Sequence, residues 1–213
     1  TEQAQALTSL YLPFVEAACC DPLALLDLVR LRRDPQLPTD RDHGPLLDSA
    51  LKTRLTDTPL FDGEKPLLDR ILNLEPQLDL SRQERITFLS TQLLQKVLEE
   101  DPKLERLVFF STSPTFANDL YSQLSNAFGD PVTRHGRPGW TKKWWRKGPQ
   151  FLVCDWTAEE GLNLHGGKVC LIHADLPFSP NRMEQRIGRL DRFGVGIPIR
   201  SFVVMPDHGE SRY

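Results

Sequence analysis

Short apolar runs, set apart by stretches with helical spacing, constrain the fold of this chain more than any other feature. Leu107-Val108-Phe109-Phe110, Phe151-Leu152-Val153-Cys154 and Val169-Cys170-Leu171-Ile172 are apolar throughout, and a further strand-like run covers 199–204. Unbroken runs of this length suit strands buried on both faces, as in a parallel sheet covered by helices. The intervening segments supply those helices. Ser113-Pro114 opens one with Phe116, Leu120, Leu124 and Phe128 inward, stopped at Gly129. Pro131-Val132-Thr133 reads as a further strand, 139–147 as a short helix, and a longer helix starts at Ser179-Pro180. Strands that alternate with helices in this way predict an α/β fold with parallel strands and crossover connections.

The preceding residues differ in character. We expect a mostly helical N-terminal segment, 1–80, ahead of an α/β lobe at 81–213. Leu7, Leu10, Tyr11, Phe14, Val15 and Ala18 fit one helix face; Leu23, Leu26, Leu28 and Leu31 fit another less cleanly. Residues 34–45 and 56–66 are rich in Pro, Asp, Gly and Thr and read as loops. Ser81-Arg82-Gln83-Glu84 has the form of a capping box, with Ile86, Leu89, Leu93, Leu94 and Val97 at helical spacing behind it. No apolar run approaches the length of a membrane span. The opening Thr-Glu-Gln has neither an initiator methionine nor a signal peptide, so a piece of a longer protein is expected. Cys19, Cys20, Cys154 and Cys170 form no C-x-x-C pair and are expected as free thiols.

The chemistry concentrates in Glu184-Gln-Arg-Ile-Gly-Arg-Leu-Asp-Arg-Phe-Gly194. On a helix, Met183, Ile187 and Leu190 would form one apolar stripe. Gln185, Arg189 and Arg192 would lie on the opposite side, flanked by Arg182 and Arg186. A guanidinium stays charged near neutral pH and grips phosphate in a planar fork, so this face suits a phosphate group. Gly194 and Gly196 supply a stop. The competing reading is a solvated basic surface.

Two other segments carry weaker signals. Residues 131–150 hold Arg134, Arg137, Lys142, Lys143, Arg146 and Lys147 and no acid, which leaves −9 for the rest of a chain of net charge −3. Trp140, Trp144 and Trp145 interleave with them. The stretch could track a nucleic-acid backbone, or two tryptophans could be core residues beneath solvated lysines. Asp155 to Gly167 follows a strand, and such loops form the usual ligand edge of parallel sheets. Gly161 would permit close backbone approach, and Asn163 could hold the turn. Gly166-Gly167-Lys168 is not a phosphate-binding loop: position 162 is leucine and position 169 valine, where glycine and Ser/Thr are required. No Asp-Glu pair ends a buried strand to hold magnesium.

Arginines suited to a triphosphate, with no phosphate cradle, resemble the second RecA-like lobe of a superfamily 2 helicase or translocase. Leu176 to Gly194 resembles helicase motif VI in its Swi/Snf-type form, closest to the bacterial RapA-like branch. Glu160-Gly-Leu-Asn-Leu164 resembles motif V. Leu107 to Leu124, with Phe110-Ser111-Thr112, resembles motif IV, and His135-Gly136 matches the segment after it more loosely. The resemblance covers about 84–206 and implies a RecA-like parallel sheet flanked by helices. It implies arginine fingers at Arg189 and Arg192, nucleotide contacts at Gln185, Gly161 and Glu160, and nucleic-acid contacts at Ser111, Thr112, His135 and Gly136. Lys142, Lys143 and Arg146 of the basic stretch would join the track. It further implies ATP and Mg2+ held mainly by an N-terminal RecA-like lobe, double-stranded DNA as the nucleic acid, no membrane, a cytoplasmic, nucleoid-associated setting, and no activity for this lobe alone. The alternatives are a non-catalytic RecA-like binding or regulatory module and an RNA-directed lobe. Two positions depart from the family pattern: Asp155 stands where motif V often has a hydroxyl, and Val195 where a glutamine commonly follows motif VI.

Overall fold

A computed structural model describes residues 2–37, 39–164, 168–190 and 199–204, with side chains from residue 7 onward. Five helices open the chain: α1 (Glu2–Cys20), α2 (Pro22–Arg33), α3 (Ser49–Asp57), α4 (Glu64–Leu72) and α5 (Glu75–Phe88). A π turn, Leu89–Leu93, joins α5 to α6 (Leu94–Glu100). Then follow β1 (Arg106–Phe110), α7 (Pro114–Phe128), β2 (Val132–Arg134), α8 (Trp140–Trp144), β3 (Gln150–Cys154), β4 (Val169–His173), α9 (Pro180–Gly188) and β5 (Arg200–Val203). The sheet is parallel throughout, in the order β2-β3-β1-β4-β5. This is the α/β arrangement predicted above, a parallel sheet flanked by helices with a helical N-terminal part.

Strand periodicity divides the core in two. Leu107 and Phe109 of β1 point to one face, where Ile86, Leu89, Leu94 and Val97 pack with Phe116, Leu120 and Leu124 of α7. Val108 and Phe110 point to the other, with Leu152, Cys154, Leu171, Trp144, Ala158 and Leu190. A third cluster, Leu10, Phe14, Ala17, Leu28, Leu55 and Leu68 among its members, is the core of the N-terminal helices.

Several local expectations are corrected. The buried face of α1 is Leu10, Phe14 and Ala17, whereas Val15 and Ala18 point outward. No clean stripe exists on α2 because Ala24 to Val29, Leu31 and Arg32 are all buried; it is the central helix of its layer. The capping-box residues start no helix, since α5 begins at Glu75-Pro76 and runs through Ser81 with Arg82 and Ile86 buried. Phe128 is exposed, although its ring meets Phe151 at 5.2 Å. Cys20, Cys154 and Cys170 are buried free thiols, with Cys19 half-buried. Burial pushes the Cys170 thiol up to about 11 and Cys154 well above its usual value. Among the described residues no helix is long and apolar enough to cross a membrane.

One carboxylate fastens the N-terminal helices to the lobe. Asp21 caps α2 by accepting from Leu23 N–H at 3.2 Å. It also accepts from Arg82 Nε at 2.8 Å and from Ser113 Oγ at 2.6 Å. Ser113 in turn caps α7 through Phe116 N–H at 3.1 Å, and Arg82 reaches Asp119 of α7 at 2.8 Å. Asp21 is fully buried, so its loss would leave Arg82 with a missing partner in low dielectric. Asp21→Ala is expected to lower unfolding stability by about 3–5 kcal/mol, read as a reduced denaturation midpoint in urea; a change under about 1 kcal/mol would contradict this role.

Candidate nucleotide and nucleic-acid site

The strand order reverses direction between β1 and β4: the chain leaves β1 toward β2 at one edge and leaves β4 toward β5 at the other. The carboxyl ends at such a switch point form the usual ligand crevice of an open α/β sheet. Here the crevice is filled from inside by Arg186. Its Nε donates to Glu159 Oε1 at 2.8 Å. Its Nη1 donates to the Asp175 carbonyl at 3.1 Å, and Nη2 to Thr112 Oγ1 at 3.0 Å and Asp175 Oδ1 at 3.1 Å. Asp175 also accepts from Ser111 Oγ at 2.8 Å, Thr112 N–H at 2.6 Å and Thr112 Oγ1 at 2.9 Å. Arg182 completes a second pair with Glu159, with bonds of 2.7 and 3.1 Å. Arg186, Glu159 and Asp175 are deeply buried, with Arg182 partly buried at their edge, and each charge is matched by an opposite charge, as interior ions require.

This arrangement corrects the expected rotation of α9. Arg186, not the Met183–Ile187 edge, is the inward residue of the helix: it is 0% exposed whereas Ile187 is 37% exposed. Leu190 alone of the expected stripe is buried, and Met183 is intermediate. Hydrophobic spacing misjudged the face because an ion-paired guanidinium occupies the core position. Ser179 stands at the N-cap but makes no side-chain cap bond. The last α-helical residue is Gly188, with Arg189 as C-cap; Arg192, Gly194, Val195 and Gly196 lie outside the described residues.

The other sequence-predicted residues separate into groups. Ser111 and Thr112 are buried and committed to Asp175, so they offer no surface to nucleic acid in this conformation. Gln185 and Glu160 line one cleft of ≈ 300 Å³ with Trp156, Ser179 and Asn181. Gly161, beside it, has φ +73°, which favours glycine. Arg189 is partly buried, its Nε has no hydrogen-bond partner, and it forms no ion pair among the described residues. His135 packs edge-on against Trp140 at 5.2 Å, and burial holds its pKa below the usual value despite the nearby Asp155 carboxylate. Gly136 is exposed at φ +80°.

The basic segment is less free than its composition suggested. Lys143 and Arg146 both pair with Asp130, at 3.0 and 2.5 Å, an acid just outside the counted stretch. Arg134 pairs with Asp155 at 2.6 Å. Trp144 is fully buried and Trp140 packs on the same core cluster, so two tryptophans are core residues. Trp145 is 49% exposed and lies with Lys142 and Lys147 on the outer surface. Asp155, the departure in motif V, is itself buried. It accepts from Arg134 and from Thr157 N–H and Oγ1, at 3.0 and 2.5 Å, and so braces the turn.

Sequence reasoning missed Glu159 and Asp175, the two acids that hold α9. Their signal is a charged residue directly beyond an apolar strand or inside a turn, one that only a buried arginine on the next helix would explain. Among the described residues no group of three or more His, Cys, Asp or Glu is arranged to hold a metal.

Residues 132–194 match the helicase conserved C-terminal domain. A 57-residue stretch, 27% of this chain, is 44% identical to the RNA polymerase-associated protein RapA of Pectobacterium carotovorum subsp. carotovorum, of which it covers 6%. The corresponding protein of Vibrio campbellii is 49% identical over 47 residues, 22% of this chain and 5% of the relative. The matched stretch thus spans a small part of these relatives' length. The crystal structure of the C-terminal part of the Fun30 ATPase domain superposes with a TM-score of 0.46 at 15% identity, over 85% of this chain and 60% of that one.

His173, at the end of β4 beneath this network, is buried with neither ring nitrogen bonded among the described residues. Burial, reinforced by Arg186, lowers its pKa to about 4, only partly opposed by Asp175. An unfolded histidine titrates near 6.5. Between these values the unfolded chain binds the extra proton, so stability is full above pH 6.5 and falls as pH drops toward 4, by up to ~3 kcal/mol. His173→Leu is expected to flatten that part of the stability–pH curve. A variant curve parallel to that of the unsubstituted protein would show that another group is responsible.

Proposed function

From the match of residues 132–194 to the helicase conserved C-terminal domain, we propose that this chain is the second motor lobe of a Swi/Snf-type ATPase that translocates on double-stranded DNA. The observation that carries this reading is the division of labour among the arginines of α9. Arg182 and Arg186 are consumed by Glu159 and Asp175, and Arg189 carries no ion pair among the described residues. A guanidinium at the end of a braced helix, with no ion pair among the described residues, is suited to an anion that arrives from outside the lobe. In this reading Arg189, with Arg192 beyond it, neutralises charge that develops on the transferring γ-phosphoryl of ATP. Gln185, Glu160 and Gly161 border the nucleotide.

The phosphate cradle and the magnesium ligands would belong to a first RecA-like lobe, so hydrolysis requires the two lobes to close on each other and this lobe alone is inactive. Closure and reopening would then move the lobe along nucleic acid. The nucleic-acid track is best supported at Lys142, Lys147 and Trp145, which are exposed and form no ion pair among the described residues. Lys143 and Arg146 share Asp130 and contribute less. His135 and Gly136 stand near the same edge of the sheet.

In the full-length protein, Arg189→Ala is expected to lower nucleic-acid-stimulated ATP hydrolysis by about 10³-fold or more while leaving thermal unfolding unchanged. Turnover within about tenfold of the unsubstituted protein would reject the finger assignment and favour a non-catalytic module. Replacing Lys142 and Lys147 with Ala should lower the salt dependence of DNA binding by about 2 in slope, measured by titration at several salt concentrations. A comparison of duplex DNA, single strands and RNA as stimulators tests the choice of duplex DNA.

A further inference from the structure

Residues 41–45 form a strap between the helical layer and the turn beyond β3. At its inner end, Asp27 of α2 is buried. It accepts from Arg30 Nη1 at 2.9 Å, from Arg41 Nη1 at 3.0 and 3.1 Å, and from His43 Nε2 at 2.8 Å. Burial alone would raise the Asp27 pKa, but His43, Arg30 and Arg41 hold it below the usual carboxylate range. The ionised carboxylate only accepts, so His43 Nε2 carries the proton. His43 is itself buried, and its Nδ1 has no hydrogen-bond partner among the described residues. Two arginines already match the charge of Asp27, and an unbonded ring nitrogen in the interior is unfavourable. Neutralisation therefore does not account for the histidine. What its bond fixes is position: His43 stands at the N-cap of the short 3₁₀ turn Gly44–Leu47, and its carbonyl accepts from Leu46 N–H at 3.2 Å.

The outer end of the strap meets the lobe. Asp42 Oδ1 accepts from Gly44 N–H at 2.9 Å, and the Asp42 carbonyl accepts from Thr115 Oγ1 of α7 at 2.8 Å. Gly44 then lies against Trp156 and Pro114. A Cβ there would sit 2.3 Å from Trp156 Nε1 and 3.2 Å from Pro114 Cδ, and Gly44 has φ +55°, so close approach and backbone both require glycine. Trp156 opens the turn Trp156–Glu159. That turn carries Glu159, which grips Arg182 and Arg186 of α9. We propose that the Asp27–His43 pair is a positioning device for ATP hydrolysis: it sets Gly44 against Trp156 and so holds the turn that fixes α9. This rests on the motor reading above. Neither residue meets a reacting atom. The helical layer takes part in turnover without touching nucleotide or nucleic acid.

The test is a double-mutant cycle in the full-length protein. His43→Leu leaves Asp27 both of its arginines, so it creates no uncompensated charge. His43→Gln offers an amide N–H near the place of Nε2. Trp156→Ala removes the surface that Gly44 meets. His43→Leu and Trp156→Ala are each expected to lower kcat/KM for nucleic-acid-stimulated ATP hydrolysis about tenfold per folded molecule. The double variant should lose no more than either alone, because both cut one connection, and His43→Gln should recover most of the activity. A role in stability alone predicts a lowered melting temperature with unchanged turnover per folded molecule. That result, a loss of about a hundredfold in the double variant, or no recovery with Gln would each overturn the proposal. Amide hydrogen exchange needs no turnover. His43→Leu is expected to speed exchange in residues 156–159, and unchanged exchange there would overturn the proposal whatever Arg189→Ala does. Normal turnover in Arg189→Ala would reject the finger assignment alone, while a non-additive cycle would still support the strap.

Discussion

The guanidinium of Arg186 is the interaction on which the rest of the site depends. It is wholly buried, and it joins the loop after β1, the turn after β3, the end of β4 and α9 through Thr112, Glu159 and Asp175. A charge in that position is tolerable only because two carboxylates and a hydroxyl surround it. The same atoms fix the rotation of α9. With Arg186 inward, Gln185 faces the cleft and Arg189 follows one turn on. The sheet reverses its winding where this cluster sits, so the crevice that commonly accepts a ligand has become an internal brace. The open cleft lies outside that brace, along the exposed side of the helix and the turn beyond β3.

The strands and the helices between them were legible because each obeys a simple period. β1, β3 and β4 each carry an unbroken apolar run beside a single polar end residue (Arg106, Gln150 and His173), and α7 carries its cap, its proline and its terminal glycine in sequence. The N-terminal helices were less legible for an equally physical reason. α2 is buried on nearly all sides, which erases the polar face that periodicity needs. α9 misled in the opposite sense: its inward position is an arginine, and hydrophobic spacing has no means of recognising an ion pair whose acids lie 11 and 27 residues away. The motif-level resemblance singled out Arg189 over Arg182 and Arg186, and the structure adds that the latter two are ion-paired to Glu159 and Asp175.

The basic stretch shows how a window of composition can misstate a field. Counted alone, 131–150 is strongly positive, yet Asp130 and Asp155 flank it and take up three of its cations. What remains outward is Lys142 on α8 and Trp145 and Lys147 just beyond it, a short segment whose Trp144 is anchored in the core. A surface of that size suits contact with a few phosphates and not a long electrostatic groove.

The bonds made by Asp21 reach further than the N-terminal helices. Ser113 donates through Oγ to Asp21 and through its N–H to Ser111 Oγ, at 3.2 Å, and Ser111 donates to Asp175, which holds Arg186. An unbroken polar thread therefore runs from the junction of α1 and α2, beneath the sheet's carboxyl edge, into α9. The N-terminal layer and the arginine helix are thereby joined by one continuous set of buried hydrogen bonds. A substitution at Asp21 would therefore be felt at Arg186 through shared hydrogen-bond partners, so the packing of the helical layer and the setting of α9 are coupled.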